Sequence, residues 1–226
     1  MLEKGDFIEI SYTAETDGII FDTTDKEVAK NSGIRPEHAH PIIICLGHGF
    51  ILAGLEKELV GKNVGEKSVI SLDARNAFGM KNPKLIQLVP LSVFKQHNVQ
   101  PAQNMQINID GALGIVKSVS SGRVVVDFNH PLSGKNVVYQ VEIKRKIENK
   151  VEQVKAILHM FGITEEIVSG VSYDDKKDMV NIVMKDAVPQ DATIPLAKKI
   201  NEMVKVKSIE FSSDKSSKKE ENITKK

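Results

Sequence analysis

The chain has 226 residues, of which 41% are hydrophobic and 27% are charged, and its 31 basic and 30 acidic side chains leave a net charge of +1. This length accommodates one large domain or two to three small ones, and the balanced charge argues against nucleic acid or an acidic membrane as a partner. No apolar run approaches the roughly 18 residues of a membrane span, and the N-terminal sequence MLEKGDFIEI lacks the apolar core of a signal peptide. The lone cysteine, Cys45, excludes an intramolecular disulfide and suits a reducing compartment, so we expect a cytoplasmic protein.

Two segments, 1–82 and 129–148, show the alternation of a β-sheet with one buried face. In the first segment, Ile8, Ile10 and Tyr12 alternate with residues that belong to the opposite face. Further strands are predicted at Ile19–Phe21, Pro41–Leu46, Glu66–Leu72 and Asn136–Ile143. We expect the two segments to form one interrupted β domain.

Two connections in the first segment differ in character. Residues 24–40 are polar and are predicted to form a long surface loop. Residues 46–67 contain several glycines, but a dinucleotide-binding fingerprint needs a further glycine where Leu52 stands, and a P-loop needs Lys and Ser/Thr where Leu55 and Glu56 stand. The glycines therefore indicate a tight turn and a short apolar helix, with no phosphate site.

Residues 83–128 have a different composition from their surroundings. Only six of these 46 residues are charged, whereas 27% of the whole chain is, and five of the eight glutamines lie here. Strands are predicted at Met105–Ile109, Leu113–Val119 and Arg123–Phe128. We interpret 83–128 as a small β-rich module inserted into the interrupted domain.

After residue 148 the hydrophobic period changes from that of a strand to that of a helix. The segment 149–211 is predicted to form a helix–strand–strand–helix–strand α+β domain, and its small size suggests that docking or self-association helps to stabilise it. Its elements are predicted at Val151–Phe161, Ile167–Tyr173, Met179–Met184, residues 195–204 and Val206–Phe211. Residues 212–226 combine serine, lysine and glutamate and are predicted to be a disordered tail.

Several motifs resemble those of the FKBP-type peptidyl-prolyl cis-trans isomerases. The glycine-flanked helix is one, and Ala77-Phe78-Gly79 stands where the family has Ala-Tyr-Gly. Gly18-Ile19-Ile20-Phe21-Asp22-Thr23-Thr24 matches a second family motif, and Asn129-His130-Pro131-Leu132 is similar to the SlyD-like branch. The resemblance covers roughly residues 1–147, in order and spacing.

This resemblance implies an α+β multidomain protein. An FKBP-like antiparallel β-sheet with a short helix would be formed by 1–82 and 129–148, and 83–128 would be the insert-in-flap domain that binds unfolded chains. The segment 149–211 would be the C-terminal extension of the long archaeal type. The implied activity is peptidyl-prolyl cis-trans isomerisation, with unfolded or proline-containing polypeptides as clients and no cofactor.

The resemblance also implies a set of site residues. Asp22 would lie beside the twisting amide, the Leu52 backbone N–H would bind the substrate carbonyl, and Leu55 would form the pocket floor, where the family often has tryptophan. Phe78 replaces a common tyrosine and so lacks a hydroxyl. The remaining walls would be Tyr12, Phe21, Ile42, Ile51 and Tyr139.

Each of these residues also has an ordinary structural interpretation. Ile42, Ile51, Leu55 and Phe78 suit a hydrophobic core, and Asp22 suits a cap on the turn that follows it. Cys45 lies in an apolar strand and is interpreted as a packing thiol. His38 and His40 share a loop, but two ligands are too few for a metal site, so we expect no metal.

Two alternatives remain to the combined isomerase and chaperone. The protein is a non-enzymatic holdase chaperone if the FKBP pocket is vestigial, an interpretation that the low-charge, glutamine-rich insert favours. Independently of that choice, 149–211 is a candidate for mediating a homodimer. His130 is interpreted as a structural residue where the chain re-enters the first domain.

Overall fold

The structure is a computed structural model that describes residues 1–96 and 98–214. Its helices are α1 (Lys26–Asn31), α2 (Ala53–Leu59), α3 (Leu91–Gln96), α4 (Lys150–Met160) and α5 (Gln190–Val204). Its strands are β1 (Phe7–Thr16), β2 (Ile19–Thr23), β3 (Ile42–Cys45), β4 (Lys67–Leu72), β5 (Ile86–Pro90), β6 (Gln106–Ile109), β7 (Ala112–Ser120), β8 (Arg123–Asp127), β9 (Val137–Lys146), β10 (Val168–Asp174), β11 (Met179–Met184) and β12 (Ser208–Ser213). The class is α+β, as expected.

The described chain forms two compact units. The first contains Met1–Ile70 and the chain from Val138 onward, and the second contains Ser71–Val137. The predicted domain boundaries at 83 and 128 fall inside the second unit and remain a prediction. The predicted tail begins within β12, and its residues from 215 onward lie outside the described part of the chain.

The first unit is organised around β1, the central strand of a five-stranded sheet with the order β2-β1-β9-β4. The strand β3 also pairs with β1, and every pair that β1 makes is antiparallel. Ile8, Ile10 and Ala14 lie on one face of β1 and are wholly buried, as the alternation predicts. Asp17 and Gly18, both at positive φ, form the tight turn from β1 to β2.

The opposite face of the sheet is also buried at one end, which the sequence did not indicate. Phe7 and Cys45 are opposed across β1 and β3 and belong to a core formed mainly by the C-terminal elements. Val154, Ile157 and Leu158 of α4 lie in that core. The C-terminal segment thus packs on the sheet, in agreement with the expectation that docking stabilises it.

The burial of Cys45 confirms its interpretation as a packing thiol. The side chain is fully buried, and burial together with the nearby Glu56 carboxylate raises the pKa of the Cys45 thiol to about 12. A thiol that remains protonated at neutral pH is a poor nucleophile.

The C-terminal elements follow the predicted order. Asn149 caps α4 by accepting hydrogen bonds from two backbone N–H groups, and β10, β11 and β12 form a sheet in that order. Since β12 runs parallel to β11, the chain needs a crossover between them, and α5 supplies it.

The helix α5 begins five residues before the predicted start at residue 195. It continues through Pro195, although proline is disfavoured in the interior of a helix. Because Pro195 has no N–H, the Asp191 carbonyl lacks its helical hydrogen bond. Asp191 is exposed, so water can donate to that carbonyl instead.

The predicted loop 24–40 contains a short helix, so that prediction was partly wrong. Asp25 accepts hydrogen bonds from the backbone N–H groups of Glu27 and Val28 and so begins α1. Pro36–His38 then forms a single turn of 3-10 helix. The segment is polar and shows no helical hydrophobic period, so the helix that Asp25 caps was not predicted.

The second unit contains a four-stranded sheet with the order β5-β8-β7-β6. Its core contains Phe94 from α3 with Ile107, Val116, Val124 and Val126 from the sheet. The strand β5 and the helix α3 were not predicted, since the run Leu85–Phe94 is apolar at nearly every position and so has no clear period.

Two asparagines join the ends of the inserted segment. The Asn82 N–H donates to Asn129 Oδ1 at 2.8 Å, and Asn129 Nδ2 donates back to the Asn82 carbonyl at 3.1 Å. Asp127 accepts from Asn129 and pairs with Lys81 at 3.2 Å; burial favours a higher pKa for Asp127, but these contacts outweigh it and lower the pKa. This clamp brings two strand connections together within the second unit.

Within the described residues, no helix is long and apolar enough to cross a membrane.

We expect the Ile157→Ala substitution to lower the free energy of unfolding by about 3 kcal/mol, because it removes a wholly buried side chain from the core shared with Phe7. It should also speed the labelling of Cys45 by a thiol reagent. Urea denaturation and labelling kinetics measure the two effects. Lys198→Ala, on the exposed face of α5, is the control and should change stability by less than about 0.5 kcal/mol. An equal response of the two variants would contradict a shared core.

Candidate functional site

The candidate site is organised by two tyrosines on neighbouring strands. Tyr12 of β1 lies opposite Val141, and Tyr139 of β9 lies opposite Ala14, so the two tyrosines are diagonal neighbours on one face of the sheet. Their ring centroids are 5.8 Å apart, with planes inclined at 56°. Tyr139 is buried and Tyr12 is half-buried. The pair forms an apolar surface with two hydroxyl groups at its edge.

A bulge in β2 adds Phe21 and Asp22 to this surface. Asp22 lies opposite Ala14 and Ile20 lies opposite Glu15, so Phe21 is the extra residue of the bulge. Strict alternation would send Phe21 and Asp22 to opposite faces of the sheet. Instead, the Phe21 ring meets Tyr139 edge-on at 6.3 Å, and Asp22 reaches Tyr12.

The contact between Tyr12 and Asp22 is a direct hydrogen bond. The Tyr12 hydroxyl donates to Asp22 Oδ2 at 2.7 Å. Burial and this carboxylate raise the pKa of Tyr12, and burial raises the pKa of Tyr139 to about 12. Both phenols therefore remain protonated at neutral pH, and the Tyr12 hydroxyl can only donate to the carboxylate.

The neighbouring threonines fix the backbone of Tyr12. Thr24 Oγ1 accepts from the Tyr12 N–H at 2.8 Å, and the Thr24 N–H donates to the Tyr12 carbonyl at 2.9 Å. Asp25, rather than Asp22, caps the turn that follows β2. The capping alternative for Asp22 is therefore wrong, because its carboxylate faces Tyr12 instead.

The aliphatic residues of the predicted pocket lie in the same unit. Leu55 of α2 is 1% exposed, and Ile42, Ile51 and Leu52 are half-buried. Leu52 immediately precedes α2, and among the described residues its backbone N–H donates no hydrogen bond. That N–H is therefore available to a ligand, as its predicted role requires.

Glu56 is a site-forming residue that the sequence analysis missed. It is 6% exposed, and its carboxylate accepts from the backbone N–H groups of Gly47, Gly49 and Phe50, each at 3.1 Å. These bonds tie α2 to the turn that leads into Ile51. A glutamate between the buried positions Leu55 and Leu59 was the available signal, since a buried charge must be paired or hydrogen-bonded.

Phe78 belongs to the second unit, where its ring stacks on His130. The centroids are 4.8 Å apart and the planes are inclined by only 3°. The Phe78 carbonyl also accepts from Ser133 Oγ at 3.3 Å. These contacts agree with a structural role for His130, and the role of Phe78 in the pocket remains a prediction.

The other face of the first sheet has a groove of about 740 Å³, but its chemistry does not suit a proline ring. Ser11, Thr13, Gln140, Glu142 and Lys144 are among its lining residues. These polar and charged side chains face away from the tyrosine pair, because strand residues alternate between faces. The apolar face remains the candidate site.

The described residues contain no group of three or more potential metal ligands. His38 and His40 are exposed, and His40 Nδ1 lies 3.0 Å from the Pro41 carbonyl oxygen. Nothing in this loop assembles a ligand set for a metal ion.

Comparison with known proteins gives the family. A short-type peptidyl-prolyl cis-trans isomerase from Methanocaldococcus jannaschii is 31% identical over 146 residues, which span 64% of this chain and 93% of that protein. A probable FKBP-type 16 kDa peptidyl-prolyl cis-trans isomerase from Pseudomonas fluorescens is 34% identical over 46% of this chain and 71% of that protein. The chain belongs to the FKBP-type peptidyl-prolyl cis-trans isomerases.

Two further matches place this FKBP-type chain near the SlyD branch. The SlyD protein of Escherichia coli K12 is 33% identical over 125 residues, which span 54% of this chain and 63% of that protein. Residues 87–132 match the family described as "FKBP26, IF domain". The resemblance inferred from the motifs is therefore confirmed.

In this FKBP-type site, Glu56→Ala should lower the free energy of unfolding by about 2–3 kcal/mol, because three backbone N–H groups lose a charged acceptor. Chemical denaturation measures the change. Glu58→Ala on the exposed face of the same helix is the matched control and should change stability by less than about 0.5 kcal/mol. A small loss in Glu56→Ala, similar to that of the control, would show that the carboxylate does not hold the turn.

Proposed function

We propose that the protein isomerises X-Pro peptide bonds in the pocket around Tyr12 and Tyr139 while the inserted segment holds the unfolded client. The observation that supports the isomerase site is the cluster of Tyr12, Phe21 and Tyr139 with the Asp22 carboxylate at its edge. These three rings and one oriented acid come from strands β1, β2 and β9, and a strand bulge is needed to assemble them.

The reaction is rotation about a single amide bond and needs no covalent chemistry. The barrier of about 20 kcal/mol comes from amide resonance, which places charge on the carbonyl oxygen. Water stabilises that charge, whereas an apolar pocket stabilises it less, so the planar form loses its advantage over the twisted form. Each 1.36 kcal/mol removed from the barrier accelerates rotation about tenfold, so a modest effect suffices.

Each part of the site has a role in this mechanism. The aromatic rings exclude water from the proline ring, and Leu55 closes the floor of the pocket. The Leu52 N–H binds a substrate carbonyl and keeps one side of the bond in place while the other side turns. Asp22, oriented by Tyr12, provides a fixed negative charge beside the twisting amide.

The inserted sheet offers an apolar surface for client binding. Ile86, Asp127 and Ile115 lie in one row across β5, β8 and β7, so they share a face of the sheet. Leu88 and Leu113, each two residues along its strand from this row, lie on the same face and are 61% and 60% exposed. The core residues Val116, Val124 and Val126 occupy the other face.

An exposed apolar sheet face suits a client that is extended and unfolded, because neither partner then needs a matching shape. Holding the client on the same chain as the pocket raises the effective concentration of its prolyl bonds. Weak contacts with many sequences therefore suffice. The cytoplasmic location and the homodimer through 149–211 remain predictions; the 63% exposed Ile194 of α5 is a candidate contact for such a dimer.

The holdase alternative rests on the same exposed face of the insert. A holdase need not accelerate the isomerisation of a short prolyl peptide, whereas an isomerase must. The two functions are therefore separated by one isomerisation assay on a short X-Pro tetrapeptide.

We expect the wild-type protein to accelerate cis-to-trans relaxation of an X-Pro tetrapeptide, and Asp22→Ala to reduce kcat/KM about tenfold because the site loses the negative charge that Tyr12 orients. Tyr139→Ala should reduce it at least as much, since the ring contacts both Tyr12 and Phe21. Asp175→Ala, an exposed carboxylate in the β10–β11 turn, is the control and should leave the rate unchanged. No acceleration by the wild type would support the holdase.

The double substitution Leu88→Ser and Leu113→Ser should slow catalysed refolding of a proline-limited protein by about tenfold, because two exposed client contacts are lost. Tetrapeptide isomerisation should stay within about twofold of the wild type. The control is Ile19→Ser with Val69→Ser, two exposed apolar residues of the first unit. An equal loss in both assays, or an equal effect of the control pair, would refute client binding by the insert.

A further inference from the structure

A second groove, with apolar side chains on both walls, lies beside β3 in the first unit. It has a volume of about 470 Å³ and is bordered by β3 on one side and α4 on the other. Ile42, Ile43, Ile44 and Phe50 contribute to one side, and Ala156 and Met160 contribute to the other. Nothing in the isomerase mechanism described above uses this groove.

The strand β3 leaves one backbone edge open to the groove. It pairs with β1, and no other described strand pairs with it. Leu46 exchanges backbone hydrogen bonds with Gly5 and Asp6. Because the hydrogen-bonding direction alternates along a strand, the backbone N–H and C=O groups of Ile44 and Ile42 also point toward β1. The N–H and C=O of Ile43 consequently point to the open edge.

The opposite wall is a regular stripe of α4. Glu152, Lys155, Ala156, His159 and Met160 follow the spacing i, i+3, i+4, i+7 and i+8 and line the groove. The adjacent stripe, with Val154, Ile157 and Leu158, is buried in the core below. The wall is therefore fixed by packing, and its apolar members Ala156 and Met160 are flanked by polar side chains at the rim.

The groove shares a lining residue with the proposed isomerase pocket. Ile42 belongs to the groove and to the predicted pocket wall, and Phe50 immediately precedes Ile51 and Leu52. A peptide whose prolyl bond lies beside Ile42 can therefore extend its next residues along β3. An extended chain fits such a site, because an open strand edge supplies main-chain hydrogen bonds that do not depend on sequence.

We propose that this groove binds the client residues next to the prolyl bond as a strand added to the open edge of β3, with α4 covering their side chains. The proposal rests on the proposed isomerase function and assigns to the C-terminal segment a part in client binding. It makes the docked α4 one wall of an extended substrate site.

Ala156→Arg tests the proposal, because the long side chain fills the groove from the helix wall. Full-length protein is assayed with an X-Pro tetrapeptide and with two longer peptides of the same core, one extended by six apolar residues before the proline and the other by six after it. We expect one extension to raise kcat/KM in the wild type and Ala156→Arg to remove that gain, a fall of about tenfold. The tetrapeptide rate should stay within about twofold.

Ala192→Arg on α5 is the matched control, since it places the same substitution on an exposed helical residue outside the groove. Met160→Glu, at a residue that is 40% exposed, is the second groove variant if Ala156→Arg does not fold. Single N-methylation along the favoured extension should weaken binding at alternate positions, because only every second amide of an added strand faces β3.

Three results would overturn the proposal: no gain from either extension in the wild type, an equal loss for tetrapeptide and long peptide, or an N-methylation effect without alternation. Failure of the wild type to turn over the tetrapeptide would instead refute the isomerase function. In that case, fluorescence binding of the longer peptides to wild type and Ala156→Arg tests the groove separately, and equal affinities would exclude it.

Discussion

The pairing of β1 with β9 is the constraint on which the rest of the structure depends. The two strands are distant in sequence, and their register sets Tyr12 diagonally beside Tyr139. The same strand β1 presents Ile8 and Ile10 on one face, and on the other it presents Phe7 to the C-terminal core. A slip of one residue would exchange these faces and separate the aromatic pair. The site and the docking of the C-terminal segment are therefore fixed by one register.

The pairing also explains how an insert is tolerated between β4 and β9. Extending a connection between paired strands adds little to the entropy of closing it, because that cost grows only with the logarithm of length. The inserted residues have their own core around Phe94 and Val116, and the Asn82–Asn129 clamp joins their ends. The first sheet therefore requires only that the insert connects the end of β4 to the start of β9.

Much of the fold could be predicted from the sequence because hydrophobic period is a local property. The strand at Met179–Met184 was predicted to the residue, and the order of the C-terminal elements was correct. The family resemblance implied that Tyr12 and Tyr139 lie in one pocket wall, and their rings are in contact. The position of Phe21 on the same surface could not be predicted, since a bulge is defined by the register with β1 and has no composition of its own. The burial of Glu56 was suggested only by its place between Leu55 and Leu59, and its three donors could not be predicted because they are backbone N–H groups of the preceding turn.

The central claim is that a prolyl bond turns over in the pocket around Tyr12 and Tyr139. NMR exchange spectroscopy on a short X-Pro peptide with a small amount of full-length protein tests it directly. We expect cis–trans exchange peaks, together with shifts of the Leu52 amide and of the Tyr12 and Tyr139 rings that are absent with an X-Ala peptide. Unaccelerated exchange, with shifts confined to residues 83–128, would contradict it.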